Sequence, residues 1–527
     1  MSRYIDVGNS DFRTIAKHNY VDKTELIAFV NSTIGTKDML TCFTRPRRFG
    51  KSYAAQMLCA YYDKSCDSEE LFAGYKIASD AKFKEHLNKH NVVYLDITWF
   101  ISNAKIQSSI NNIVSYIQQE VVQDLHNKYP NVPMQDSLTK MFAEIADRTG
   151  EKFIIIIDEW DAIFREAKEN TKLQEEYMQL LRGLFKSGVQ TNKIFEAAYI
   201  TGILPIKKYG TQSSMTDFRE YTMLSPGKLA KFIGFTQDEV KQICKENKLN
   251  FSRTKKWYDG YSFTGLKSIY NPNSVMEAVR KGEFGNYWTK SESYESLKLY
   301  IEADINGLQA DIVQMLSGEK VKVDVETFQN DMTTIKTKDD VLTLLVHLGY
   351  LAYDHKSKAV YIPNEEIRTE FVRAVTTGKR DNLIKIIQNS DALLENVLAS
   401  NEEEVAKAIE NAHDSGAAPL FYNDEQALRA IIKFAFITAM DHYIRIEELP
   451  SGKGYADIVY LPKKSSRLPA MLVELKMNKS PEGAIAQIKR KNYPQVLKEY
   501  GSDILLVGVN YDDKTKSHTC KIERIVM

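Results

Sequence analysis

Apolar and polar positions along this chain fall into three regimes. From the start to about residue 225, short dense apolar runs alternate with stretches whose apolar residues recur every three or four positions. The dense runs are Met39–Phe43, Asn91–Ile97, Phe153–Ile157 and Ile194–Thr201. A strand that is apolar on successive residues is buried on both faces, as in the middle of a parallel sheet covered by helices. The periodic stretches Tyr53–Tyr62, Ile106–His126, Met134–Asp147 and Leu173–Phe185 predict amphipathic helices. Asp22 and Glu25 have capping-box spacing, which predicts a short helix over Asp22–Asn31. Such alternation predicts an α/β domain.

The middle regime, about 286 to 400, is mostly helical. Near its end Val341–Tyr353 reads as a helix running into a strand, Ala359–Pro363 as a second strand, and Glu365–Val375 as a helix. Helix, hairpin and helix resemble a winged-helix module. The hairpin flank (Asp354, His355, Lys356, Lys358) is too weakly basic to argue for groove binding, so a structural connector is expected. The stretch Asp391–Glu425, rich in Glu, Asp, Asn and Ala, predicts a boundary or a solvated helical face. In the third regime the alternation of Met471–Lys476 predicts a strand with one apolar face. The expected limits are an α/β core at 1–225, a helical subdomain at 226–285, the connector at 286–400 and a second α/β domain at 401–527.

Composition narrows the class. A chain of 527 residues suits two or three domains, each with its own core. Its 70 Lys and Arg cancel its 70 Asp and Glu, so no whole-molecule field draws it to nucleic acid or membrane. Cys42, Cys59, Cys66, Cys244 and Cys520 are scattered without metal-ligand spacing and read as reduced thiols. The N-terminus does not read as a signal peptide, and no apolar run approaches the ~18 residues of a membrane span. A soluble, cytoplasmic, multidomain protein is expected, with no membrane partner.

The chemistry begins at Arg45-Pro46-Arg47-Arg48-Phe49-Gly50-Lys51-Ser52, between the first strand and its helix. Backbone N–H groups and a helix N-terminus in that position face an anion, and Lys51 adds a point charge for the outer phosphates. The Ser52 hydroxyl can hold Mg²⁺. Arg45 replaces the usual first glycine of this eight-residue pattern. The run Phe153–Ile157 ends in Asp158-Glu159. The C-terminal edge of a parallel sheet is where ligands bind. There Asp158 would sit near Mg²⁺, and Glu159 would orient or deprotonate an attacking water. Thr201, ending the last strand, either senses the γ-phosphate or water, or is an ordinary strand end.

These segments resemble the predicted AAA-ATPase family of bacteria and archaea. The resemblance rests on Tyr20–Thr24, Arg45–Ser52, Ile157–Asp161, Thr201-Gly202, Trp257–Tyr261 and Tyr270–Pro272, and covers roughly residues 4 to 285. Arg45 is normal for that family, whereas Trp160 stands where tyrosine is more usual. The resemblance implies a P-loop ATPase core with a helical subdomain. ATP and Mg²⁺ would be its cofactors, and Arg45, Arg47, Arg48, Phe49, Gly50, Lys51, Ser52, Asp158 and Thr201 its binding residues. The arginine that completes hydrolysis stays open between Arg47, Arg48 and a neighbouring copy, which leaves a homo-oligomer open too. The Trp257–Tyr261 segment reads as a packing corner.

Near the C-terminus, Asp457 precedes an apolar strand, and Glu474 and Lys476 lie on Met471–Lys476. Residues two apart on a strand share a face, so Glu474 and Lys476 point together while Met471, Val473 and Leu475 face the core. Two carboxylates on adjacent strands suit a hard divalent ion, and a lysine beside them can stabilise charge on phosphate. The set resembles the PD-(D/E)XK nuclease superfamily over about residues 405 to 527, with a restriction-endonuclease-like α/β fold. Glu425 matches that superfamily's first-helix acid and Gln487 the polar residue after the lysine strand, while Ala456 replaces a frequent proline. From Ser451 to Met527 there are 14 Lys and Arg against 8 Asp and Glu, and Lys489, Arg490 and Lys491 cluster past the site, which favours a polyanion.

The combined expectation is an ATPase coupled to a nuclease that cleaves nucleic acid, DNA foremost, under nucleotide control. Glu159, Glu425, Asp457, Glu474, Lys476 and Gln487 would be catalytic, and Ser52, Asp158, Asp457 and Glu474 metal ligands. The alternative is a nucleotide-dependent switch or scaffold with an inactive nuclease fold. It gains if Asp457, Glu474 and Lys476 are splayed, or blocked by Glu447 or Lys479.

Overall fold

Five strands, β1 (Leu40–Thr44), β2 (Asn91–Asp96), β3 (Phe153–Asp158), β4 (Phe195–Gly202) and β5 (Arg219–Tyr221), pair in parallel in the order β2-β3-β4-β1-β5 in the computed structural model. The structure describes the chain except residues 1–2, 19, 108, 187, 207–214, 264, 289–296, 298–299, 302–304, 329–334, 377–380, 416–431, 433–434, 437–438, 440–441, 452–453, 464–467, 491–502 and 527. As its unbroken apolar run requires, β3 is buried at every position. One set of strand residues (Leu40, Cys42, Val93, Leu95, Ile155, Ile157, Ala198, Ile200) forms a core with the helices Ile113–Lys128, Leu138–Thr149 and Thr171–Phe185. The Lys51–Tyr62 helix also packs against β3 and buries Ala54, Ala55 and Leu58. This is the P-loop NTPase architecture expected of the first domain.

Two local expectations differ in detail. β2 stops at Asp96, whose Oδ1 accepts the N–H of Thr98 (2.9 Å) and Trp99 (3.1 Å). That bonding opens a helix, Ile97–Gln107, before the predicted one; a 3₁₀ turn capped by Ser109 separates it from Ile113–Lys128. Similarly, the helix expected from Asp22 begins at Glu25. Asp22 instead accepts from Thr24 N (2.9 Å), Thr24 Oγ1 (2.6 Å) and Lys76 N (2.8 Å), tying the turn to a later loop.

The segment after the core pairs helices Gln237–Glu246, Phe251–Tyr258 and Pro272–Lys281 with a small sheet, order β6-β8-β7, made of β6 (Phe235–Thr236), β7 (Tyr261–Phe263) and β8 (Leu266–Tyr270). A Thr236–Glu239 capping box opens the first helix. Further on, helix Lys338–Leu348, the antiparallel pair β9 (Ala352–Asp354) and β10 (Ala359–Tyr361), and helix Glu365–Thr376 reproduce the expected helix–hairpin–helix order.

By packing, the chain forms two units: Met1–Tyr294 with Lys322–Thr369, and Glu295–Val321 with Glu370–Met527. The interval read as a connector therefore contributes to both. The second unit is built on β11 (Tyr443–Ser451), β12 (Gly454–Pro462), β13 (Ala470–Met477), β14 (Asp503–Asp512) and β15 (Ser517–Val526), paired in chain order. Only β13 and β14 are parallel, and the Pro481–Arg490 helix crosses between them. Helices Asp381–Leu398 and Glu402–Ser415 bury Leu393, Val397, Val405 and Ile409 with Ile458, Tyr460, Met471, Val473 and Leu475. On the opposite face Ile485 and Ile488 pack with Val459, Leu461 and Leu472. Among the described residues no helix is long and apolar enough to cross a membrane.

Candidate functional sites

β1 delivers the chain to the carboxyl edge of its sheet. Gly50, at φ 95°, takes the left-handed turn into the Lys51–Tyr62 helix, a conformation costly for any residue with a Cβ. Lys51, only 3 % exposed, donates to Pro46 O (3.1 Å) and lies 3.2 Å from Glu159 Oε1. Because β4 runs between β1 and β3, Thr201 stands beside both the loop and the acidic strand. Its hydroxyl donates to Asp158 Oδ1, and Ser52 hydrogen-bonds the same carboxylate. Tyr94 Oη lies 3.5 Å from Asp158 Oδ2. Burial, then the Glu159 charge, push the Asp158 carboxyl up, and the Ser52 and Thr201 bonds with Lys51 oppose this. Ser52, Asp158 and Thr201 thus gather hard oxygen atoms in one buried place, the donor chemistry that suits Mg²⁺.

Glu159 adopts φ 53° and bridges two cations, Lys51 and Arg165. Burial would raise its pKa, but Lys51 and then Arg165 outweigh burial and hold the carboxylate ionised. Beyond it, fully buried Asp161 accepts Ile203 N (3.2 Å) and Leu204 N (3.0 Å). Trp160 donates its backbone N–H to Thr201 O (2.8 Å) and its indole N–H to Leu204 O (3.1 Å). These bonds lock the ends of β3 and β4 together. Gly202 fits under them because a Cβ there would lie 2.4 Å from Trp160 Cδ1.

The loop's arginines part ways. Arg45 is fully buried, donates to Thr44 O (2.9 Å), and sits over the Phe43 and Phe263 rings at 4.5 and 5.0 Å; burial lowers its pKa to about 9. The structure therefore places it in the aromatic packing beneath the loop. Arg48, exposed at φ 65°, donates to Tyr287 O (3.1 Å). Arg47 is half-buried and close enough to Glu159 to help hold it ionised. Buried Phe49 meets Tyr261 edge-on, with centroids 5.5 Å apart.

That contact gives the Trp257–Tyr261 segment a place. The Tyr261 hydroxyl donates to Gly349 O, and a Cβ on Gly349 would lie 2.7 Å from Pro46 Cβ. Gly260 O accepts from Tyr361 Oη (2.9 Å), and Asp259 O from Asn364 Nδ2 (2.7 Å). The segment is a packing corner wedged between the phosphate loop and the hairpin module. Lys23 has a comparable task. Its Nζ reaches both Glu239 oxygens (2.7 and 2.6 Å) and Lys231 O (2.8 Å), tethering the turn before the Glu25–Asn31 helix to the segment after the core.

In the second unit, Ile458 pairs with Val473, which sets Asp457 and Glu474 side by side on the face that the Pro481–Arg490 helix covers. Asp457 Oδ2 accepts Leu475 N (2.9 Å). Glu474, 1 % exposed, accepts through Oε1 from Lys476 Nζ (3.3 Å) and from Gln487 Nε2. Asp457, Glu474, Lys476 and Gln487 are thus brought together. Glu425 and Lys491 lie outside the described residues, as does the side chain of Glu447. Lys479 is exposed, with its backbone N–H bonded to Asn510 Oδ1 (2.9 Å). Two carboxylates fit a divalent ion in chemistry, yet among the described residues no cluster of three or more His, Cys, Asp or Glu stands ready for one. Lys489 pairs with Glu523, and Arg490 is exposed.

Sequence reasoning passed over Arg165 and Tyr94, and gave Asp161 a place in a motif but no role. A signal existed for Asp161 and Arg165, since they have the i,i+4 spacing of a helical ion pair directly after the acidic strand.

Residues 6–211 match the family described as Predicted AAA-ATPase, and residues 423–520 match the PD-(D/E)XK nuclease superfamily. Both matches fall in the expected order. No curated protein matches the chain. Among solved structures, the Aeropyrum pernix ORC2 protein in ADPNP–ADP complexes is similar at 14% identity over 71% of this chain and 98% of its own, with a TM-score of 0.30. AMPPCP-bound DnaA from Aquifex aeolicus is similar at 10% identity over 69% and 90%, with a TM-score of 0.24. Likenesses this weak carry no argument; the fold assignment rests on the sheet order and the two family matches.

Proposed function

We propose that the protein binds and hydrolyses ATP, and that its nucleotide state controls a metal-dependent nuclease domain acting on nucleic acid, DNA foremost. The observation that carries the reading is the convergence of Lys51, Ser52, Asp158, Glu159 and Thr201 at one sheet edge. In this reading the N–H groups that follow Gly50 and the Lys51 ammonium bind the phosphates. Ser52 and Asp158 would hold Mg²⁺, which supplies charge neutralisation on the β- and γ-oxygens. Glu159, kept ionised, orients the attacking water, and Thr201 fixes Asp158 and faces the γ-phosphate. Assembly into a homo-oligomer would let a neighbouring copy lend an arginine.

In the nuclease domain Asp457 and Glu474 would hold the divalent ion, with Glu425 as a further acid. Lys476 stabilises charge developing on the phosphate, and Gln487 orients Glu474. The free state of all five cysteines supports a cytoplasmic setting. The second reading, a nucleotide-dependent switch or scaffold, is favoured by one observation: Lys476 and Gln487 both occupy Glu474 Oε1.

The test incubates the full chain with labelled single- and double-stranded DNA and RNA, Mg²⁺ or Mn²⁺, with and without ATP. Wild type is compared with a Glu474→Ala/Lys476→Ala variant. Cleavage that is lost in the variant and altered by ATP is the expected result. ATP binding without cleavage under any condition would overturn the nuclease reading in favour of the switch.

A further inference from the structure

The Glu159 carboxylate makes ion pairs with Lys51 and Arg165, with the Arg47 charge nearby, and those two partners differ in what else holds them. Lys51 Nζ meets Glu159 Oε1 at 3.2 Å and Pro46 O at 3.1 Å. Phosphate oxygens compete with both for that ammonium, because a phosphate is the stronger anion. Arg165 donates through Nη2 to Glu159 Oε2, and its Nε lies 3.3 Å from Asp161 Oδ2. Asp161 cannot follow a moving partner. It is fully buried and already accepts the N–H groups of Ile203 and Leu204 at the end of β4. The guanidinium is itself largely buried, with 13 % of its side chain exposed, so the pair is little screened by solvent.

We propose that Arg165 is the positioning residue for Glu159. It fixes Oε2 to the rigid end of the β3–β4 pair and leaves Oε1, on the Lys51 side, to face the phosphates when they draw Lys51 away. A planar guanidinium that hydrogen-bonds one carboxylate through Nη2 while its Nε edge stays in ion-pair contact with another does this; a lysine ammonium has no such second edge. Glu159 also sits in a left-handed conformation (φ 53°), uncommon for a residue with a Cβ, directly after β3 ends. The inference rests on the reading of Glu159 as the water-orienting group.

Steady-state ATP hydrolysis and fluorescent-nucleotide binding test it in wild type, Arg165→Met, Arg165→Lys, Glu159→Gln and the Glu159→Gln/Arg165→Met double variant. Arg165→Met is expected to lower kcat by about 100-fold, the scale of an ångström's misplacement at a reacting group. Its nucleotide dissociation constant should match wild type. Arg165→Lys should recover part of kcat, and adding Arg165→Met to Glu159→Gln should cost nothing more, because the two act as one unit. Wild-type kcat in Arg165→Met, or an equal loss in the Glu159→Gln background, overturns the inference alone. Loss of nucleotide binding in both Arg165 variants would assign Arg165 a structural role and overturn it too. Wild-type kcat in Glu159→Gln, or no turnover by wild type, instead overturns the reading beneath it.

Discussion

Gly260→Ala should be among the most damaging single-methyl additions in the ATPase unit, and Gly265→Ala five residues on is its control. Both glycines have positive φ, 118° and 83°. An alanine at either therefore bears a backbone cost of about 1–3 kcal/mol. Their surroundings differ. At Gly265 a Cβ would meet nothing within 4 Å. At Gly260 it would lie 1.9 Å from Pro363 O and 2.5 Å from Pro363 C. Those are backbone atoms, so no rotamer change relieves the clash, and overpacking of this kind adds about 1–3 kcal/mol. Gly260→Ala should thus exceed its control by about 2 kcal/mol, a large share of the 5–15 kcal/mol typical of a domain. Urea unfolding followed by tryptophan fluorescence measures the difference. Both sites flank the same small sheet, so the midpoints of one transition can be compared at a common slope. Gly260 O also accepts from Tyr361 and adjoins Tyr261, which touches Phe49. Nucleotide affinity should therefore fall in Gly260→Ala and hold in Gly265→Ala. Equal midpoints for the two variants would refute the steric argument.

Lys23→Met removes three bonds to Glu239 and Lys231 and leaves a partly buried carboxylate without its cation; a loss of about 2–3 kcal/mol is expected from denaturation midpoints. Lys23→Met/Glu239→Gln should be more stable than Lys23→Met alone, since the amide still accepts from Thr236 N and no charge is stranded. Glu196 offers a pH test. Its hydrogen bond to His90, resisted by burial and aided by the His90 charge, holds its pKa below the ordinary 4.5. A depressed carboxylate stabilises the fold above its unfolded value, and that contribution disappears as pH falls through the lower folded value. Glu196→Gln should therefore lower the midpoint at pH 7 and flatten its decline below pH 4.5; an unchanged slope would show that the pair carries no linkage.

The parts of this molecule legible in its sequence are those set by neighbours along the chain. An unbroken apolar run ending in Asp158-Glu159 specifies an inner strand and its functional end, and period-two alternation puts Glu474 and Lys476 on one face whatever surrounds them. Hidden from such reasoning are the contacts that depend on strand order. Thr201 reaches Asp158 because β4 is inserted between β1 and β3, and nothing within Ile194–Thr201 encodes that insertion. Gln487 reaches Glu474 because its helix crosses between parallel β13 and β14 on one particular face. Arg45 marks the limit most sharply. Its place in the eight-residue pattern suggests a loop cation for nucleotide, yet its guanidinium lies over Phe43 and over Phe263, a residue from a sheet formed much later in the chain. Once that sheet packs beneath the loop, Arg45 loses its water, and its most favourable partners become ring faces rather than phosphate. Arg165 is the converse case. A residue outside every motif bonds to Glu159 from one helical turn beyond Asp161, which Ile203 and Leu204 pin and with which it is in ion-pair contact.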